Sequence, residues 1–86
     1  MIIRKGMWAT NQGRVGIIAG IGPQQAIPKR QIAIPAGYVH FDVVGQDGVT
    51  TSTELVDIRA VAQASYMDIP ETRRPSEQFA TNLGYL

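Results

Sequence analysis

The sequence contains no cysteine and one histidine, His40. The lack of cysteine excludes disulfides and thiolate metal sites. A single histidine cannot form a cluster of imidazole ligands. No apolar run reaches the roughly 18 residues of a membrane-spanning helix, because Gly16 and Gly20 interrupt the longest one. The start, Met1–Lys5, reverses the charge-then-apolar order of a signal peptide. We therefore expect a soluble protein that is not exported, without metal, cofactor or membrane contact.

Charged residues are scarce, at 17% of the 86 residues, and the net charge is +1. They are unevenly distributed, because residues 1–41 contain five cations and no acid, whereas residues 42–86 contain three cations and seven acids. Such asymmetry can mark a surface for nucleic acid or another partner. Interleaving of strands from both halves would instead mix these charges in space. The length allows one domain, which we place at residues 1–68, with residues 69–86 as a C-terminal tail.

Apolar and polar residues alternate with period two through much of the first 56 residues, which predicts β-strands. We expect strands at residues 7–10, 14–19, 38–44 and 49–56, with turns at Asn11-Gln12-Gly13 and Asp47-Gly48. Between the second and third strands, three prolines make residues 21–36 a long loop. The predicted core consists of Val15, Ile17, Val39, Phe41, Val43, Val49 and Leu55.

Residues 57–67 allow two interpretations. In the favoured one, Asp57–Arg59 forms a tight turn before a last strand at residues 60–66, and the domain is all-β. In the other, residues 57–67 form a helix, and the domain is α+β. Further on, Ser76 has the character of an N-cap and Gly84 of a stop signal. These signals predict a short C-terminal helix whose apolar stripe, Phe79 and Leu83, must dock on its own sheet or on another chain.

The segment Gly13–Ile18 has the pattern Gly-basic-x-Gly-x-aliphatic. It resembles the core of the KOW motif, which occurs in SH3-like barrels of ribosomal and transcription proteins. The resemblance implies a five-stranded SH3-like barrel, here with a short C-terminal helix. It also implies a surface where cations meet phosphates and aromatic rings stack on bases. The candidate contact residues for nucleic acid or another partner are Lys5, Trp8, Arg14, Lys29, Arg30 and Tyr38.

The tail segments Ile69–Ser76 and Leu83–Leu86 resemble the ends of small barrel proteins encoded in phages and prophages. That resemblance implies an assembly or accessory role in the bacterial cytoplasm or the virion. Catalysis has little support, because Asp42 lies two residues from His40 but no nucleophile is fixed beside them. We therefore expect a non-enzymatic protein-interaction or self-association module. Nucleic-acid binding is the alternative, although a near-neutral chain lacks the basic excess typical of such proteins.

Overall fold

Residues 2–26 and 32–86 are described by a computed structural model, and they are mainly β. Five antiparallel strands form one sheet in the order β4-β3-β2-β1-β5. This agrees with the mainly-β expectation, and β4 and β5 are the two edges of the sheet. The elements are β1 Trp8–Asn11, β2 Arg14–Ile21, β3 Tyr38–Val44, β4 Thr50–Asp57, β5 Ala62–Gln63 and the helix α1 Glu77–Asn82.

The first hairpin joins β1 to β2 through the two residues Gln12 and Gly13, with Asn11 opposite Arg14. Both turn residues have positive φ, at 52° and 77°. Positive φ at both positions gives a turn whose twist matches that of the flanking strands, and glycine adopts it without strain. The turn expected at Asn11-Gln12-Gly13 is thus confirmed.

The pairing of β3 with β4 determines which side chains of the second hairpin enter the core. Val39, Phe41 and Val43 are buried, as predicted. Val56 lies opposite Val39, and Glu54 lies opposite Phe41. Opposite residues share one face of a sheet, so the even-numbered residues of β4 face the core. The predicted core residues Val49 and Leu55 are instead 60% and 48% exposed. Their assignment to the core was wrong, because the prediction took the odd-numbered residues of this segment as the buried ones.

The same correction applies to β2, where Gly16, Ile18 and Gly20 are buried. The predicted core residues Val15 and Ile17 are only partly buried and pack at the margin of the core. Ile18 is fully buried opposite Phe41. A Cβ atom on Gly16 would collide with a backbone oxygen of β3 and with the end of the Phe41 ring. Gly16 thus lets the Phe41 ring lie against the backbone of β2, and its lack of a large side chain is why the pattern of large residues misplaced this core face.

The segment after β4 confirms the turn-and-strand interpretation and contradicts the helix over residues 57–67. Ile58–Ala60 is a single 3₁₀ turn, and the Asp57 carboxylate accepts a hydrogen bond from its Arg59 amide at 2.8 Å. β5 then pairs with β1, although its two residues make it shorter than the expected strand at 60–66. β5 pairs with β1 at Ala9 and Thr10, and the Trp8 carbonyl accepts a further hydrogen bond from the Ala64 amide at 3.1 Å.

The C-terminal residues pack on the sheet. Helix α1 begins after Ser76, whose hydroxyl accepts a hydrogen bond from the Phe79 amide, as the N-cap pattern predicted. The helix buries Ala80, while the expected docking residue Phe79 is 64% exposed. Ile69 and Tyr85 join the same core cluster as the sheet residues. The tail is therefore held by Ile69, Ala80 and Tyr85, and the apolar stripe of Phe79 and Leu83 faces outward.

The long connection between β2 and β3 is closed at its base by two backbone hydrogen bonds between Gln24 and Ile34, both 2.8 Å. Ile34 is almost fully buried and packs close to Gly20. The cations Lys29 and Arg30 lie outside the described residues.

Candidate functional site

An open groove of about 660 Å³ lies between the two ends of the chain. Ile2 and Arg4–Met7 line one side, and Gln63 and Thr81–Tyr85 line the other. We call this feature the terminal groove. It joins residues that are far apart in sequence, so no local motif could have revealed it.

The N-terminal wall of the terminal groove is fixed by a turn. The Gly6 amide donates to the Ile18 carbonyl at 2.7 Å, and the Met7 amide donates to the Arg4 carbonyl at 3.1 Å. Gly6 has φ +87°, a conformation that costs glycine little and other residues more. The turn places Arg4 and Lys5 at the surface while Met7 enters the core.

The C-terminal wall is fixed by Tyr85. Its hydroxyl accepts a hydrogen bond from the Trp8 amide at 2.7 Å, 77 residues away in sequence. Its own amide donates to the Ala80 carbonyl at 2.8 Å, and its carbonyl accepts from the Tyr66 amide at 3.0 Å. Because Tyr85 is held at three points, Leu83 just before it is held at the edge of the groove.

The lining of the terminal groove combines apolar surface with positive charge. Ile2 is 74% exposed and Leu83 is 48% exposed. Arg4 and Lys5 are also exposed, and the lining residues include no acid. Among residues 2–26 and 32–86, neither cation makes an ion pair. This combination suits a ligand segment that carries both apolar side chains and carboxylates.

A second open groove, of about 780 Å³, lies between the first hairpin and residues 67–71. Its cations are already engaged. Arg14 makes two hydrogen bonds to the Glu54 carboxylate, which lower the pKa of Glu54. Arg74 donates to the carbonyls of Ile69 and Met67. This groove therefore offers less unpaired charge to a ligand than the terminal groove does.

The structure does not bring the predicted contact residues together. Lys5 lines the terminal groove, whereas Arg14 lines the second groove and is paired with Glu54. Trp8 is buried, and the Arg73 guanidinium lies 5.5 Å from the centre of its ring. Tyr38 is half-exposed at the start of β3, and Lys29 and Arg30 are outside the described residues.

Sequence reasoning missed Ile2, Arg4 and Leu83 as members of one site. The signal for Leu83 was present, because the stripe that it forms with Phe79 needed a partner. Ile2 and Leu83 line the same groove only because the fold brings the N-terminal and C-terminal residues together. No local sequence pattern shows that.

The His–Asp pair singled out in the sequence lies on β3. The His40 Nε2 atom lies 3.4 Å from Asp42 Oδ1, which also accepts a hydrogen bond from the Thr53 hydroxyl at 3.0 Å. The buried Nε2 atom of His40 has no hydrogen-bond partner among the described residues. The described part of the chain also contains no group of three or more side chains able to hold a metal ion.

Within the described ranges, no helix is both long and apolar enough to cross a membrane. Comparison with protein-family models, with curated proteins and with solved structures gives no match for this chain.

Proposed function

We propose that this chain is a non-enzymatic interaction module that binds a segment of another protein in the terminal groove. One observation carries the proposal: exposed Ile2 and Leu83 share a groove with Arg4 and Lys5, and its lining has no acid. The preferred ligand is a segment in which apolar side chains alternate with or flank Asp or Glu.

The apolar contacts supply affinity, and the cations supply orientation. Covering a large aliphatic side chain contributes up to about 1.5–3 kcal/mol, and Ile2 and Leu83 both retain exposed surface to cover. Exposed ion pairs contribute less, about 0–1 kcal/mol each. The complex should therefore depend more on Leu83 than on Arg4 or Lys5, and salt should weaken it only modestly.

The SH3-like barrel remains the interpretation of the fold that we propose. Two features support it: β1 lies between β2 and β5, and the KOW-like segment Gly13–Ile18 runs from the first turn into β2. Domains of this kind often bind peptides between loops. The resemblance of the tail to small phage and prophage barrel proteins supports an assembly role in the bacterial cytoplasm or the virion.

Nucleic-acid binding is the second candidate, and Arg4 and Lys5 favour it because neither makes an ion pair within the described part of the chain. Two placements weaken it. Arg14 is already neutralised by Glu54, and the Trp8 ring is buried beneath Arg73 instead of being open for base stacking. Phosphate contacts would also make such binding fall steeply with salt.

Selection from a displayed random-peptide library tests the proposal. The wild-type chain should enrich peptides with apolar and acidic residues, and Leu83→Asp should weaken their binding at least about tenfold, which corresponds to 1.4 kcal/mol. Leu86→Asp is the matched control, because Leu86 is exposed but does not line the groove. Its binding should equal that of the wild type.

Titration with random RNA and DNA at about 50 and 200 mM salt separates the second candidate. Two results together would replace the first proposal by the second. Nucleic acid would bind at the lower salt and not at the higher, and the peptide library would yield no acidic peptide. Peptides that bind Leu83→Asp as well as the wild type would remove the terminal groove as the site.

A further inference from the structure

The two most exposed large apolar side chains of the described residues are Ile2, at 74%, and Met67, at 71%. Ile2 lines the terminal groove, whereas Met67 lies outside it. Because both side chains remain mostly exposed, they do not cover each other within one chain. Each is therefore available for contact with a second molecule.

Two acidic side chains lie close to Met67 in the sequence. Asp68 and Glu71 are exposed, and within the described ranges neither takes part in an ion pair. The Ser65 amide and hydroxyl both donate to Oδ2 of Asp68, so these two hydrogen bonds leave its Oδ1 atom unused. We call Met67, Asp68 and Glu71 the acidic knob. It presents one apolar side chain together with two carboxylates.

The two arginines that follow the acidic knob bond to carbonyls of the chain itself. Arg73 donates to the Gly48 carbonyl at 2.8 Å. Arg74 donates to the Ile69 carbonyl at 2.8 Å and to the Met67 carbonyl at 3.2 Å. The carboxylates of the knob are therefore the charged groups of this segment that have no such bond to a neighbouring carbonyl and can meet cations of another molecule.

Other exposed apolar residues match the ligand chemistry of the terminal groove less well. Leu55 has two acids nearby, but Glu54 is paired with Arg14 and Asp57 with Arg59. Val49 and Phe79 each have one acid within four residues in the sequence. The acidic knob is thus the described surface segment that joins an exposed large apolar side chain to two carboxylates outside any ion pair.

We propose that the acidic knob of one copy of this chain occupies the terminal groove of a second copy, and that the two copies exchange this contact about a two-fold axis. Met67 then packs against Ile2 and Leu83 of the other copy, and the knob carboxylates face its Arg4 and Lys5. The flexible thioether of methionine adapts to irregular apolar surfaces. The inference rests on the proposed function, because it names the partner of the same groove.

Charge and position favour a second copy as the occupant. The groove lining has two cations and no acid, and the knob supplies two acids. The two surfaces are also neighbours, because the Tyr66 amide, just before the knob, donates at 3.0 Å to the carbonyl of Tyr85 in the groove wall. Neighbouring complementary surfaces let both contacts form at once in a closed pair, whereas a one-sided contact leaves a groove and a knob uncovered.

Sedimentation equilibrium of the wild-type chain from low micromolar to millimolar concentration tests the inference. We expect a monomer–dimer equilibrium without larger species. A chain that stays monomeric at millimolar concentration overturns the inference. Species that grow beyond the dimer contradict the reciprocal exchange.

A pair of charged variants tests which surfaces meet. Leu83→Asp places an acid in the groove, and Met67→Lys places a cation on the knob, so each variant alone should raise the dimer dissociation constant at least about tenfold. An equal mixture of the two should form a heterodimer more tightly than either variant dimerises, because Asp at 83 then faces Lys at 67 and the other contact is unchanged. Leu86→Asp and Val49→Lys are the matched controls, since both residues are exposed and line neither groove.

The outcomes separate this inference from the proposed function. Variants that dimerise like the wild type, or a mixture with no preference for the heterodimer, overturn the inference. Acidic peptides that bind the groove of a chain that stays monomeric keep the proposed function and overturn the inference alone. A dimer that is indifferent to Leu83→Asp, together with a library that yields no acidic peptide, overturns both. If either variant does not fold by circular dichroism, the wild-type sedimentation result decides.

Discussion

Replacing Phe41 by alanine removes the largest fully buried side chain of the described core. Its ring lies opposite Ile18 and against the backbone at Gly16. A buried aromatic ring covers about 150–250 Å², which at about 25 cal/mol per Å² corresponds to about 4–6 kcal/mol. The Cβ atom remains in the variant and lowers this value, so we expect the free energy of unfolding to fall by about 3–5 kcal/mol.

Such a loss is large for a chain of 86 residues, because domains have about 0.05–0.15 kcal/mol of stability per residue. Urea denaturation followed by circular dichroism measures it. Phe79→Ala is the control, since the same atoms are removed from a side chain that is 64% exposed. That variant should change stability by less than about 0.5 kcal/mol. Equal losses for the two variants would refute the placement of Phe41 in the core and Phe79 at the surface.

Three further predictions use the same denaturation assay or a titration. Tyr85→Phe removes the acceptor of the buried Trp8 amide and should cost about 1–3 kcal/mol; a neutral result would mean that water replaces the hydroxyl. Gly16→Ala should destabilise the chain by about 1–3 kcal/mol, because its methyl group collides with the backbone of β3; a stabilised variant would contradict the close approach of these strands. The hydrogen bond from Arg59 lowers the pKa of Asp57 from 3.8 to about 2. The pair therefore contributes its full stability at pH values above the pKa of Asp57 in the unfolded chain, and this contribution is lost as the pH falls toward 2. A carboxyl-carbon NMR titration should give a midpoint near 2 for Asp57 that moves toward 3.8 in Arg59→Gln, and identical midpoints would exclude the interaction.

Period-two alternation placed four of the strands, and the glycine-containing turn signals placed both tight turns. It located Val39, Phe41 and Val43 in the core because one strand with a clean pattern reveals its buried face. It misplaced Leu55, because the buried face of β4 depends on its register with β3, and register is set by pairing. It also misplaced the core face of β2, where Gly16 and Gly20 are buried without the large side chains that mark a core.

The candidate site was harder to predict than the fold. Lys5 was singled out as a cation of the basic N-terminal half, and the terminal groove includes it. The pattern could not show that Arg14 is engaged by Glu54, 40 residues away, or that Trp8 is covered by Arg73. Both contacts join residues distant in the chain, and composition contains no information on such contacts. Ile2 was overlooked because an isolated apolar residue near a chain end has no periodic context.

The hydrogen bond between the Trp8 amide and the Tyr85 hydroxyl has a consequence for biosynthesis. A nascent chain emerges from the ribosome N-terminus first, at about 5–20 residues per second. β1 therefore emerges seconds before Tyr85. During that interval the Trp8 amide lacks the hydroxyl that accepts its hydrogen bond in the folded chain. Native packing around this strand can form only after Tyr85 has emerged, so β1 is synthesised before the other four strands of the sheet but is among the last to reach its mature surroundings.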